Sequence, residues 1–318
     1  MKIGVYSVPL DMDYIEKLKE LCRANGHELV FFEGSSQPDT DALMPFEVLC
    51  GHFEPDTFKK LPQLKWVHTP YAGVEKLAGS VIPQSVLLTN SSGAFGIAMA
   101  EYMLAGILAL MRKLPEYAEQ QTRRVWHNAG RARCIYESRI TVIGTGDIGG
   151  SFASRAKALG AHVTGVNSTG HFVSDDFERM LPVSELKTAV SASDVVAVCV
   201  PSTPKTRLLI SKDIISAMDK NTIFVNCGRG SAVDEEALVQ ALNSQSIAGA
   251  VLDVTAVEPL PEDSPLWTAK NTIITPHVSG KGTDAANTKL IYQIFKDNLE
   301  RFFSGRPLAH VVDRERGY

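Results

Sequence analysis

Residues 139–160 read RITVIGTGDIGGSFASRAKALG, and this stretch decides the fold. A β-branched run, RITVIG, leads straight into Gly144-Thr145-Gly146-Asp147-Ile148-Gly149, and SFASRAKALG follows with the composition of a helix closed by Gly160. A glycine pattern that leaves a strand and opens a helix predicts a phosphate-binding turn. Gly144 permits the tight turn, Gly146 lets backbone N–H groups approach a pyrophosphate, and Gly149 lets the helix pack on the strand. The positive N-terminus of the helix then faces the phosphates.

Working outward, the segments AHVTGVN, VVAVCVP, TIFVNCG, SIAGAVLD and TIITPH follow RITVIG as further strands. Most are continuous β-branched runs, as expected where both faces of a parallel sheet are covered. About six parallel strands make the dinucleotide-binding arrangement. Upstream, KIGVYSV, HELVFFE, EVLCGHF, LKWVHTP and SVLLTN alternate with helical stretches such as DYIEKLKELCRANG, which predicts a second α/β unit. IYQIFKDNLERFF, within Lys289 to Phe303, has helical periodicity and is expected to cross back to that first unit. The tail PLAHVVDRERGY reads as irregular. The predicted division is 1–92 plus 290–318 against 93–289.

The residue facing the adenosine ribose is expected at the end of the strand after the glycine loop. Here that residue is Asn167, followed by Ser168, Thr169, Gly170 and His171. A carboxylate at this place would repel a 2′-phosphate, whereas an amide and two hydroxyls can donate to one. The expected cofactor is NADP or NAD, with NADP ahead.

Bulk properties exclude several classes. With 32 Lys and Arg against 36 Asp and Glu, the net charge of −4 offers no basic excess for nucleic acid or an anionic membrane. Five scattered cysteines, without a C-x-x-C spacing, suit a reducing cytoplasm and suggest no metal site. The start, MKIGVYSVPLD, is too soon broken by Pro9 and Asp11 to read as a signal peptide. Residues 94–111, AFGIAMAEYMLAGILALM, carry one charge, Glu101. They barely reach membrane-spanning length, and a helix buried between domains or subunits explains the same composition.

Three motifs then fall at predicted strand ends: Asn226-Cys227-Gly228-Arg229-Gly230, Asp253 with Glu258-Pro259-Leu260-Pro261, and Thr275-Pro276-His277. Ligands of open α/β sheets lie at the carboxyl ends of the strands, so the three converge on one crevice. With His68-Thr69-Pro70-Tyr71-Ala72-Gly73-Val74, GTGDIGG, CVPSTPKTRLLI and TPHVSG, the order strongly resembles the D-isomer-specific 2-hydroxyacid dehydrogenases over nearly the whole chain. The resemblance implies a Rossmann dinucleotide-binding domain inserted in a flavodoxin-like α/β substrate domain, and a homodimer. It also implies a short form without the regulatory domain of longer phosphoglycerate dehydrogenases.

The implied catalytic set is Arg229, Glu258 and His277. Arg229, fork-shaped and always charged, suits the carboxylate of a 2-oxo acid and can polarise its ketone. His277 would exchange a proton with the substrate oxygen, and Glu258 would hold its imidazole. By resemblance, the backbone of Tyr71, Ala72, Gly73 and Val74 receives the substrate carboxylate, and Asp253 the nicotinamide carboxamide. Further cofactor contacts are implied for Asp147, Ile148, Pro201, Thr206, Cys227, Gly228, His277 and Gly280. Formate dehydrogenases share the plan but carry Gln in place of Glu258. A cofactor-sensing corepressor of this fold would carry flanking disordered tails, which these 318 residues do not contain. A small-molecule enzyme is the expectation, with its particular 2-oxo acid left open.

Overall fold

In the computed structural model, residues 1–34, 36–77, 81–281 and 285–317 are described. The chain separates into two units, Met1–Phe95 with Gly282–Tyr318, and Gly96–Lys281.

In the first unit, β1 (Lys2–Tyr6), β2 (Glu28–Phe32), β3 (Val48–Gly51), β4 (Trp66–His68) and β5 (Leu87–Thr89) form a parallel sheet in the order β2-β1-β3-β4-β5. This is the flavodoxin-like order. Successive side chains leave opposite faces, so each strand feeds two cores. Ile3, Val5, Val48, Cys50 and Trp66 pack against α1 (Met12–Ala24) and against Phe295 and Leu299 near the C-terminus. Leu49, Val67 and Leu88 pack with Leu43 of α2 (Thr40–Leu43), Phe46 and Phe58 on the other side. The tail read as irregular is held in place: Val311 bridges antiparallel to Thr89, and the Arg314 guanidinium donates to the carbonyls of Ile82, Pro83 and Val86.

The second unit holds α3 (Gly96–Met111), α4 (Leu114–Thr122), β6 (Arg139–Ile143), α5 (Asp147–Ala158), β7 (His162–Asn167), β8 (Arg179–Pro182), α6 (Leu186–Ser191), β9 (Val195–Val198), α7 (Lys212–Ile215), β10 (Ile223–Asn226), α8 (Glu235–Asn243), β11 (Gly249–Leu252) and β12 (Thr272–Ile274). Its sheet runs β12-β11-β10-β9-β6-β7-β8, all parallel. From β8 to β11 this is the dinucleotide-binding order, with β12 added at the far edge. The sequence reading omits β8, a four-residue edge strand, RMLP, whose Arg179 and Pro182 hide it. An edge position tolerates proline because one side of the strand makes no ladder bonds. The final helix, α9 (Ala285–Phe303), belongs to the first unit and starts four residues before the expected Lys289.

The apolar run 94–111 becomes α3, but it is not covered all round. Gly96, Met99, Ala100, Met103, Gly106, Ile107 and Met111 are buried, a helical spacing that marks one face. Gly106 lets the helix lie on β11, since a Cβ there would stand 2.6 Å from Val251 Cγ1. Ile97, Glu101 and Ala105, on the opposite face, are exposed. Among the described residues no helix is long and apolar enough to cross a membrane.

Candidate functional site

The glycine loop has the shape its sequence requires. Gly144 adopts φ 93°, a left-handed conformation, and a Cβ there would stand 2.7 Å from Cys199 O. A Cβ on Gly149 would stand 2.0 Å from Gly144 O, so the helix turn sits directly on the strand exit. A Cβ on Gly146, the residue before α5, would meet nothing within 4 Å. This open approach to a helix N-terminus fits a dinucleotide pyrophosphate. Asp147 Oδ2 accepts from Gly96 N at 3.0 Å, so this acid fixes the start of α3. Beside the loop, Thr206 Oγ1 donates to Pro201 O at 2.6 Å and accepts from Thr203 N at 2.9 Å, closing the turn after β9.

Asn167 ends β7 as expected, yet its amide is already engaged. Nδ2 donates to Thr145 Oγ1 at 3.3 Å and His171 O at 3.0 Å. Oδ1 accepts from the backbone N–H of Thr169 at 3.0 Å and Gly170 at 2.6 Å, and from Thr169 Oγ1. Asn167 thus ties the 168–171 loop to the glycine loop.

The three strand-end motifs lie in this same unit. Arg229, partly buried, follows a turn clamped by Asn226, whose Oδ1 accepts from Gly228 N at 3.1 Å and whose Nδ2 donates to Arg229 O at 3.1 Å. Arg229 Nη1 donates to Gly228 O at 2.8 Å. The next residue must be glycine: a Cβ on Gly230 would stand 1.9 Å from Thr255 C, so the Arg229 turn lies against the 254–256 backbone. From that backbone, Thr255 N donates to Glu258 Oε1 at 3.1 Å, and Glu258 Oε2 accepts from His277 Nδ1 at 2.8 Å. Both side chains remain partly open to solvent. With Nδ1 held by the carboxylate, Nε2 is the nitrogen left for exchange with a ligand.

His277 has φ 52°, an unusual backbone for a residue with a Cβ. Asp253 imposes it. Its backbone oxygen accepts from His277 N at 2.8 Å. Its buried carboxylate accepts from Thr275 Oγ1 at 2.6 Å, Val278 N at 2.8 Å, Ser279 N at 2.9 Å and Ser279 Oγ. Four donors fill the lone pairs of a carboxylate. A nicotinamide carboxamide would therefore share oxygens that already fold this turn, which ends beside Gly280.

Two contributors escape a sequence reading. Tyr102 on α3 reaches Thr275 Oγ1 at 2.6 Å; because Thr275 donates to Asp253, the phenol is the donor, and burial pushes its pKa up. Glu235, at the start of α8, accepts from Ala256 N at 2.5 Å. Burial raises its pKa, the Ala256 bond opposes this, and the Glu258 charge adds to it. Cys227 is buried, and burial, with Cys199 and Asp253 nearby, holds its thiol well above the ordinary range, which disfavours the thiolate. Among the described residues no cluster of His, Cys, Asp or Glu suits a metal ion.

In the first unit, the turn after β4 offers a different group. The carbonyls of Tyr71 and Ala72 accept from Ser91 N at 3.1 Å and Asn90 Nδ2 at 2.8 Å. No described residue accepts from the N–H groups of Ala72, Gly73 and Val74. Neighbouring free N–H groups of this kind suit an anion. Tyr71 is exposed beside them, edge-on to His52 with ring centroids 6.3 Å apart.

Comparison with known proteins gives these features a context. A family model described as "D-isomer specific 2-hydroxyacid dehydrogenase, NAD binding domain" matches residues 104–279. The chain is 32% identical to the glycerate dehydrogenase of Methylorubrum extorquens, over 90% of this chain and 92% of that one. It is 31% identical to the D-3-phosphoglycerate dehydrogenase of Methanocaldococcus jannaschii over 81% of its length, but spans only about half of that protein, 49%. A crystal structure of a D-isomer-specific 2-hydroxyacid dehydrogenase from Xanthobacter autotrophicus, in complex with NADPH and MES, superposes with a TM-score of 0.83 at 30% identity, covering 99% of both chains.

Proposed function

For a chain that belongs to the D-isomer-specific 2-hydroxyacid dehydrogenase family, we propose that it reduces a 2-oxo acid to the D-2-hydroxy acid with NADPH or NADH. The observation that carries this reading is the 2.8 Å contact of His277 Nδ1 with Glu258, which leaves Nε2 as the ring nitrogen available to a ligand. When bound, a reduced nicotinamide would supply the hydride for the keto carbon. Arg229 binds the carboxylate and polarises the ketone. His277 Nε2 delivers the proton to the substrate oxygen, and Glu258 keeps the ring oriented while it does so. Ala72, Gly73 and Val74 direct their N–H groups to the substrate carboxylate, and Tyr71 contributes to the choice of side chain. Gly144, Gly146 and Gly149 seat the pyrophosphate with Ile148; Pro201, Thr206, Cys227, Gly228 and Gly280 line the cofactor's path.

Purified protein assayed with both cofactors over a panel including glyoxylate, pyruvate and hydroxypyruvate tests the reading, with chiral analysis of each product. Turnover to the D-isomer is the expected result. Tight cofactor binding without turnover on any of them would favour a cofactor-sensing regulator.

NADPH is the cofactor we expect to serve at least as well as NADH, because no carboxylate stands at the end of β7. Asn167→Asp should shift the ratio of kcat/KM values toward NADH by about tenfold. The new charge repels a 2′-phosphate by about 1 to 4 kcal/mol at 4 Å, depending on the effective dielectric, and the bonds from Nδ2 to Thr145 and His171 are lost. An unchanged ratio at fixed ionic strength would remove position 167 from cofactor choice.

A homodimer is supported by the surface around α3 and α4. Trp126 is fully exposed, and Leu114, Val125 and Tyr117 are partly so, apolar side chains of the kind that a partner surface covers. Light scattering at micromolar concentration should give twice the chain mass; the mass of one chain would count against it. The five free cysteines fit a reducing cytoplasm.

A further inference from the structure

Four buried side chains in the first unit form one continuous hydrogen-bonded string. Trp66 Nε1 donates to Thr89 Oγ1 at 2.8 Å, and Thr89 Oγ1 lies 2.8 Å from His68 Nδ1. His68 Nε2 lies 3.2 Å from Ser91 Oγ, which donates to the Thr69 carbonyl at 3.3 Å. Trp66, His68, Thr89 and Ser91 are wholly buried.

The string has a single consistent proton order. An indole N–H only donates, so Thr89 Oγ1 accepts from Trp66 and has its one hydrogen for His68 Nδ1. Nδ1 is therefore the acceptor; Nε2 carries the ring proton and gives it to Ser91, whose own hydrogen goes to Thr69 O. The opposite tautomer turns the Ser91 hydrogen back to Nε2. It strips Thr69 O of its donor and leaves the Thr89 hydroxyl with no acceptor among the described residues. Unsatisfied buried groups are costly, so the first order prevails. Phe295 lies nearly parallel to the ring, at 5.1 Å and 21°, and fixes its plane. Burial, with a smaller effect from nearby His310, lowers the His68 pKa to about 3, so the ring stays neutral over the ordinary working range.

The string ends where the 69–74 turn begins. Its pull on Thr69 O acts with the Ser91 and Asn90 bonds to the Tyr71 and Ala72 carbonyls, so three carbonyls of the turn are drawn inward. We propose that His68, as the neutral Nε2–H tautomer, is a positioning residue that holds the Ala72–Val74 N–H groups in register for the substrate carboxylate. The inference rests on the reading of those N–H groups as the carboxylate's receptor.

Glutamine carries an acceptor and a donor at much the same spacing as the two imidazole nitrogens, so it can rebuild the string; leucine cannot. His68→Leu should raise KM for the 2-oxo acid by about tenfold, as for one weakened hydrogen bond to a charged group, with kcat and cofactor Kd little changed. His68→Gln should restore KM. Ser91→Ala, which cuts the string but keeps the histidine, should reproduce the rise and serves if the leucine variant does not fold. Nitrogen NMR of histidine-labelled wild type should show Nε2 protonated and Nδ1 bare, with no titration down to about pH 5. An Nδ1–H tautomer overturns the proposal, as does a folded glutamine variant as impaired as the leucine one. A normal KM in His68→Leu, beside a raised KM in Gly73→Pro, overturns the relay alone. Normal KM in both removes the carboxylate receptor, and the relay's purpose with it.

Discussion

Replacing His277 with alanine is expected to lower kcat by about 10² to 10⁴, the usual worth of a positioned general acid, while cofactor Kd stays near the wild-type value. The expectation follows from how the ring is held. Glu258 takes Nδ1 at 2.8 Å and is itself held by Thr255 N, so the imidazole has one orientation and one nitrogen to spare. The His277 backbone is fixed independently by Asp253 O, so truncating the side chain leaves the turn in place. Loss of the proton donor should therefore appear in the chemical step and not in dinucleotide affinity. Single-turnover rates together with fluorescence titration of NADPH would check both halves. A loss smaller than about tenfold would take the general-acid role away from His277.

Arg229→Lys should raise KM and lower kcat together, reducing kcat/KM by about 10² to 10³, as when one preorganised electrostatic contact is removed. An ammonium is a point charge and cannot replace a planar fork against a carboxylate. The surrounding turn should survive: the Asn226 side chain clamps it through the backbone of residues 228 and 229, and Gly230 sets its approach to Thr255. Steady-state kinetics with the best 2-oxo acid measure the effect. A change confined to cofactor affinity would instead place Arg229 against the dinucleotide.

Much of the architecture was legible because burial on both sheet faces writes itself as β-branched runs. RITVI, VVAV and IFVN became β6, β9 and β10 almost unaltered. The glycine loop was legible for a stronger reason: Gly144 and Gly149 each answer a separate steric demand, and both demands are visible in the structure. β8 was hidden because a short edge strand is free of the pattern that burial imposes. Tyr102 was hidden because its partner, Thr275, lies 173 residues away, inside a stretch whose composition draws attention only to its greasiness. Asn167 shows an intermediate case. Its position could be counted along the chain, but the five bonds that occupy its amide depend on how the following loop folds back, and no spacing rule supplies that.

The chain Tyr102–Thr275–Asp253 also bears on protein engineering. The turn presenting His277 is moulded by an acid at the end of β11 and steadied by a phenol on α3. Grafting the Arg229, Glu258 and His277 segments onto another nucleotide-binding scaffold would carry over the reactive groups without the mould. A donor scaffold chosen for this purpose needs a tyrosine, or another hydroxyl of equal reach, at the corresponding turn of its own packing helix.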